Sequence, residues 1–136
     1  FRAYAIKDLS KASLASKLFA EECLELGLSK ELSNTVALCV EEFSIFVGSK
    51  LKTGKLHQLN IKLNVLPDKV VVSFMDNAKP TSKENFVQLY EDVSKSMNKL
   101  PALKAVKEKS DKFEITYALQ LNNYRFTFLR KDAQHG

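Results

Sequence analysis

Hydrophobic residues in the first third of the chain recur at intervals of three and four positions, which is the spacing of amphipathic helices. The first predicted helix can be capped by Asp8 or Ser10, and Gly27 is a natural stop for it. Ser29 can cap a second helix, whose apolar stripe runs over residues 32–47. The sequence therefore predicts two consecutive helices joined by a short turn.

Further along the chain the hydrophobic period changes to two, which is typical of half-buried strands. Residues 59–65 and 70–75 alternate in this way and predict a hairpin. A second alternating pair follows at residues 113–121 and 124–129. Asn122-Asn123 lies between them and can supply the positive φ angles of a tight turn, so we predict the second hairpin turn there.

Helical spacing returns between the two hairpins. It predicts a helix over residues 86–97, an interruption at 98–101 and a short helix after it. Residues 1–6 alternate weakly and predict an edge strand. One-sided helical stripes need an apolar sheet face to cover. We therefore expect an α+β fold, a two-layer sandwich with helices on one face of a small mixed, mostly antiparallel sheet.

The size and composition of the chain fit one globular domain. It has 136 residues, of which 45% are hydrophobic and 27% are charged. We expect the domain to span residues 1–130 and to be followed by a flexible tail at 131–136. No apolar run approaches the roughly 18 residues that a membrane span needs, so membrane association is not expected. These features favour a cytoplasmic protein.

Charge and reactive residues exclude several classes of function. The net charge is +5, but the lysines are scattered and are not interleaved with aromatic residues, so nucleic acid is not an expected partner. Cys23 and Cys39 lie among apolar residues and are expected to be buried, reduced thiols. His57 and His135 have no neighbouring ligand set, and no Cys pair has zinc-site spacing, so no metal site is predicted from side chains alone.

The predicted element order, together with two short motifs, resembles a known family. Glu41-Glu42 lies on the second helix, and Asp76-Asn77-Ala78-Lys79-Pro80 ends the second core strand. This layout, from about Leu9 to Arg130, is similar to the GHKL (Bergerat-fold) ATPase-like domains of bacterial anti-sigma-factor serine/threonine kinases and switch-protein kinases. The resemblance implies a histidine-kinase-like ATPase domain that acts in signal transduction by partner switching. It further implies ATP or ADP as ligand, a sigma-factor-like or anti-anti-sigma-like protein partner, and a homodimer.

The resemblance assigns roles to individual residues. Glu42, or its neighbour Glu41, matches the catalytic base of the second helix. Asp76 matches the carboxylate that accepts a hydrogen bond from the adenine amino group, and an Asp that caps a turn is the alternative for this position. Three further residues fall in the cofactor-binding motifs: Ala78 at the position of a family glycine, Lys79 beside it, and Ala102 in the phosphate-binding turn.

Two departures from the family pattern change the functional expectation. The family has an Asn ligand for Mg²⁺ four residues after the Glu, whereas this chain has Phe46 after Glu42 and Ile45 after Glu41. The family's phosphate turn is glycine-rich, whereas residues 98–103 contain no glycine and include Pro101, which lacks an N–H group. Mg²⁺ is therefore not expected to bind at that position. Loss of a metal ligand and a phosphate loop together removes most of the electrostatic stabilisation of phosphoryl transfer.

The expected function is thus that of a degenerate ATPase-like regulatory domain that binds another protein and has little or no ATP turnover. An active serine/threonine kinase of the anti-sigma-factor family is the alternative. A nucleotide sensor without turnover and a small α+β domain unrelated to the family, binding proteins through a sheet edge or helix face, also stay open.

Overall fold

A computed structural model describes residues 2–6, 9–50, 59–76, 86–118 and 121–130. The helices are α1 (Ala12–Glu25), α2 (Lys30–Lys50), α3 (Phe86–Asn98) and α4 (Pro101–Lys109), and a short 3-10 helix, Leu9–Lys11, precedes α1. The strands are β1 (Arg2–Ile6), β2 (Leu59–Val65), β3 (Lys69–Asp76), β4 (Lys112–Ala118) and β5 (Leu121–Leu129).

The five strands form one sheet in the order β1-β2-β3-β5-β4. Each pairing among these described strands is antiparallel, so this part of the sheet is not mixed. The two predicted hairpins, β2–β3 and β4–β5, meet through the central pairing of β3 with β5. The prediction of an α+β sandwich is confirmed, and β1 is the edge strand that the N-terminal alternation predicts.

One face of the sheet is buried under the helices. Alternate residues are buried along the two central strands: Val70, Val72, Phe74 and Asp76 of β3, and Asn122, Tyr124, Phe126 and Phe128 of β5. Phe43 of α2 is the centre of the packing over these strands. Its ring centroid lies 4.8 to 6.1 Å from those of five aromatic residues: Phe74, Phe126, Tyr124, Phe46 and Phe113. The apolar sides of the helices and the apolar face of the sheet therefore pack together in one core.

The turn between α1 and α2 is fixed by its own backbone hydrogen bonds. Gly27 has a φ of 88°, and its N–H group donates to the carbonyl of Leu24 over 3.1 Å. The N–H group of Leu28 donates to the carbonyl of Cys23 over 3.0 Å, which completes a Schellman motif. The Ser29 hydroxyl then accepts the N–H of Leu32 at 3.1 Å, and caps α2 as predicted.

Two local predictions are wrong. The N-cap residue of α1 is Lys11, whose side chain makes no capping hydrogen bond, and Ser10 lies one residue earlier, within the 3-10 helix. Asn122-Asn123 does not form the hairpin turn: both residues are in β5, which pairs with β4 from Ala118↔Leu121 onward. Asn122 instead lies opposite Asp76 of β3, in the interior of the sheet.

Several predictions fall outside the described residues. These are the cap at Asp8, the residues His57 and His135, the motif residues Ala78 and Lys79, and the tail at 131–136. In the described ranges, no helix has both the length and the apolar character needed to cross a membrane. Nor does this part of the chain contain a group of three or more His, Cys, Asp or Glu side chains placed to hold a metal ion.

Candidate functional site

Asp76 is a buried carboxylate on the helix-covered face of the sheet. It is the last residue of β3 and is 3% exposed. The side-chain amide of Asn122, on the neighbouring strand β5, donates a 2.8 Å hydrogen bond to its Oδ1 atom. A buried carboxylate needs such a partner, because burial of an unpaired charge is costly. The sheet register therefore supplies a donor to Asp76 from 46 residues away in the chain.

Tyr124 adds a third polar group to this part of the core. It is 3% exposed and lies opposite Phe74, so it is a diagonal neighbour of Asp76 across the two strands. Burial raises the pKa of its hydroxyl well above the ordinary value, and the negative charge of Asp76 raises that pKa further. The phenol therefore stays protonated, and Asp76, Asn122 and Tyr124 form one buried polar cluster at the end of β3.

Helix α2 brings Glu42 to the same end of the domain. The first turns of α2 border Phe128 and Leu129 at the far end of β5, whereas Phe43 packs on Phe74 and Tyr124. The helix therefore runs from the Leu129 end of the sheet toward the Asn122 end. Glu42 precedes Phe43 in sequence and is half-buried. Glu42 and Asp76 thus share one end of the sandwich but lie at different depths.

The position that should hold a metal ligand is filled by a core side chain. Phe46 lies one helical turn after Glu42 and on the same side of α2. It is 2% exposed, and its ring centroid is 5.5 Å from that of Phe43. Ile45, the corresponding residue after Glu41, is apolar and 43% exposed. Neither side chain has an oxygen or nitrogen atom, so a Mg²⁺ ion does not fit the residues at this position.

The segment that matches the phosphate turn has few backbone donors to offer. The N–H group of Lys99 donates to the carbonyl of Ser96 over 3.2 Å, and that of Leu100 donates to the carbonyl of Met97 over 3.0 Å. Pro101 is the first residue of α4 and has no N–H group. Three consecutive residues therefore lack a backbone donor for a phosphate. Ala102 follows in the first turn of α4 and is half-buried.

The two cysteines are inert core residues, as predicted. Both are free and fully buried. Burial raises the pKa of the Cys23 thiol to about 12, with a smaller contribution from the nearby charge of Glu22, while Arg130 acts in the opposite direction. Burial also raises the pKa of Cys39 well above its ordinary value. Neither thiol is poised to act as a nucleophile, because the thiolate is the reactive form.

A cavity of about 350 Å³ lies at the other end of the sheet. The start of α2, the end of α4 and the end of β5 form its walls, and it borders Phe128. Phe128 is six residues along β5 from Asn122, which corresponds to about 20 Å of extended strand. The cavity contains neither Asp76 nor Glu42 among its lining residues, so it is separate from the predicted site.

Sequence reasoning assigned roles to Asp76 and Glu42 but missed Asn122 and Tyr124. A signal for both was present, because residues 122, 124, 126 and 128 alternate along the strand and so point to the same sheet face.

A comparison with models of known protein families finds no match for the chain, and a comparison with curated proteins finds none either.

Proposed function

We propose that this domain is a degenerate ATPase-like regulatory module that binds another protein and has little or no ATP turnover. In this proposal it is a cytoplasmic signalling domain, similar to the anti-sigma factors and partner-switching kinases of the GHKL family. The order of its elements, with one carboxylate on the central helix and another at the end of β3, supports the likeness. The likeness is one of layout and short motifs, and the proposed activity is argued from the site.

The burial of Phe46 is the observation that carries the proposal. A phosphoryl-transfer site of this kind needs an oxygen ligand for Mg²⁺ one helical turn after its carboxylate base. Phe46 is 2% exposed and packs against Phe43 at the centre of the aromatic cluster. The ring is packed in the core and offers no oxygen or nitrogen atom to a metal ion. Its role at this position is structural packing.

Two further features support the same conclusion. The N–H groups of Lys99 and Leu100 already donate within the protein and Pro101 has none, so phosphate contact in this segment is limited to the first N–H groups of α4. In addition, Asn122 already donates to Asp76, the carboxylate assigned to adenine recognition. Asp76 is also only 3% exposed, so little of its surface is open to an adenine base.

The proposal is tested by incubating the domain with radiolabelled ATP and Mg²⁺, alone and with an acidic protein acceptor. Phosphate release and transfer are expected to stay at the level of the protein-free control. Glu42→Gln and the matched substitution Glu41→Gln, which changes the adjacent half-buried glutamate, should not alter this background. Magnesium-dependent transfer that is lost with Glu42→Gln and retained with Glu41→Gln would refute the proposal and favour an active kinase.

A further inference from the structure

The outer surface of α1 and α2 carries an unusual share of the exposed large hydrophobic residues. Four of them lie on these two helices: Leu14 at 46% exposure, Leu24 at 51%, Leu38 at 37% and Ile45 at 43%. Single exposed leucines are ordinary on protein surfaces, but several on adjacent elements are typical of an interaction site. We call the surface formed by these four residues the α1–α2 outer face.

Helical geometry puts Leu38 and Ile45 on the side of α2 that faces away from the sheet. Leu38 and Ile45 are seven residues apart, which places them two turns apart on one side of α2. Phe43 and Val40, which are fully buried, point to the opposite side, toward the strands. The hydroxyl of Ser16 donates to the carbonyl of Ala37 over 2.8 Å, so α1 lies directly alongside α2. The outer sides of the two helices therefore lie next to each other.

The charge of these helices is opposite to that of the whole chain. Helices α1 and α2 together contain six glutamates and three lysines, whereas the chain as a whole has a net charge of +5. Glu21 and Glu25 are exposed on α1, and Glu41 and Glu42 are half-buried on α2, beside Leu38 and Ile45. Apolar side chains bordered by glutamates complement a partner that has apolar residues flanked by lysine or arginine.

We propose that the α1–α2 outer face binds a basic amphipathic helix of another protein. This inference rests on the proposed protein-binding function and names the surface and the chemistry of the partner. A partner helix can lie along two antiparallel helices with its apolar residues at positions i, i+3, i+4 and i+7. Its basic residues then face the glutamates at the edges.

A second copy of this chain is a poorer occupant of the same face. In a two-fold symmetric dimer the same patch meets itself, so the glutamates of one copy would lie against those of the other. Contact of this acidic face with a basic surface elsewhere on a second copy would be head-to-tail, and such contacts extend into rings or filaments. A separate basic partner pairs with the glutamates of the face without like-charge repulsion and without assembly into rings or filaments.

The probe for the test is a fluorescent synthetic peptide of leucine and lysine, about 18 residues long with leucines at helical spacing, so that it can form an amphipathic helix. The control peptide has glutamate in place of every lysine. Fluorescence anisotropy at several salt concentrations should show binding of the lysine peptide alone, weakening as salt increases. Amide chemical-shift changes should map to residues of the α1–α2 outer face.

The paired substitution Leu38→Ala and Ile45→Ala should weaken binding of the lysine peptide at least tenfold. Glu21→Gln with Glu41→Gln should weaken it several-fold and reduce its dependence on salt. Leu129→Ala removes a side chain of similar exposure, 50%, that lies on β5 and on neither helix, and should leave binding unchanged. All of these side chains are exposed or half-buried, so the fold should be retained.

Three outcomes would overturn the inference: equal binding of the glutamate peptide, no effect of the Leu38 and Ile45 substitutions, or self-association of the domain that those substitutions abolish. The last would make a second copy the occupant. If the domain transfers phosphate from Mg-ATP while the lysine peptide still maps to this face, the proposed function fails and the assignment of the surface stands.

Discussion

Exchange of the two members of the Asp76–Asn122 pair tests whether the buried polar cluster is held together by a specific charge-assisted hydrogen bond. The substitution Asn122→Asp puts a second carboxylate where an amide now donates over 2.8 Å. The double substitution Asp76→Asn with Asn122→Asp restores one carboxylate and one amide, with their strands reversed. The domain should therefore be more stable with the exchanged pair than with two carboxylates at these positions.

The magnitude follows from the geometry of the pair. Two carboxylates about 4 Å apart repel each other by about 4 kcal/mol at an effective dielectric constant near 20. The lost hydrogen bond to a charged group adds about 1.5–3 kcal/mol, although relaxation of the side chains reduces the total. We expect Asn122→Asp to lower the free energy of unfolding by about 4 kcal/mol. The exchanged pair should recover enough of this loss to give a coupling energy of about 2–3 kcal/mol.

The assay is urea unfolding followed by circular dichroism at pH 7, with all four members of the double-mutant cycle. Measurement at pH 4 should show a smaller loss for Asn122→Asp, because one of the two neighbouring acids then takes up a proton. The exposed Lys112–Glu114 pair, at 3.3 Å, is the control. Exchange of its members should change stability by less than about 1 kcal/mol, because solvent screens exposed charges.

A loss of less than about 1 kcal/mol for Asn122→Asp at pH 7 would refute this reasoning, since that is the range of an exposed ion pair. It would mean that Asp76 is solvated or neutral in the folded protein. A coupling energy near zero would show that Asn122 contributes no specific hydrogen bond to Asp76.

Three further predictions concern the fold. Phe43→Ala should cost about 3–5 kcal/mol in urea unfolding because it empties the centre of the aromatic cluster, whereas Leu129→Ala, at a 50% exposed position, should cost less than about 0.5 kcal/mol. Gly27→Ala should lower the free energy of unfolding by about 1–2 kcal/mol, because φ is 88° at this position. The nearest side-chain atom to the new methyl group is 3.9 Å away, so the loss comes from backbone strain and not from a clash. Gly27→Asn should cost less, because asparagine adopts positive φ more readily than alanine. Burial raises the pKa of the Cys23 thiol to about 12 in the folded state, so its contribution to stability is complete below about pH 9 and is lost as the pH rises toward 12. Stability should fall by about 1.4 kcal/mol per pH unit in this window because of this thiol, and Cys23→Ala should show a shallower slope in urea unfolding.

The fold was largely predictable because its local signals and its tertiary packing agree. The period of two in β2 matches a strand whose alternate residues Leu59, Ile61 and Leu63 are fully buried. Gly27 and Ser29 mark a helix boundary by their own chemistry, and the backbone there forms the hydrogen bonds that this chemistry favours. These features are local in sequence, so one sequence is enough to find them.

The candidate site was less predictable because it depends on contacts between distant residues. Asn122 was predicted to lie in a turn because asparagine favours turns. In the structure it lies in β5 and its hydrogen-bond partner is Asp76, 46 residues away, because the strand register pairs these two positions. An amide at a core-facing position of an otherwise apolar strand indicates a buried partner, yet the pattern does not identify that partner. For the same reason, sequence spacing places Phe46 one turn after Glu42 but does not reveal that its ring fills the core.

We propose that this domain keeps the layout of an ATPase-like fold but does not bind Mg²⁺ and phosphate. Equilibrium titration calorimetry of the domain with ATP, in the presence of Mg²⁺ and again with a chelator, tests it most directly. We expect no tight binding of ATP and no difference between the two conditions, because Phe46 provides no metal ligand and Pro101 no phosphate donor. Tight binding of ATP that disappears when Mg²⁺ is removed would contradict it.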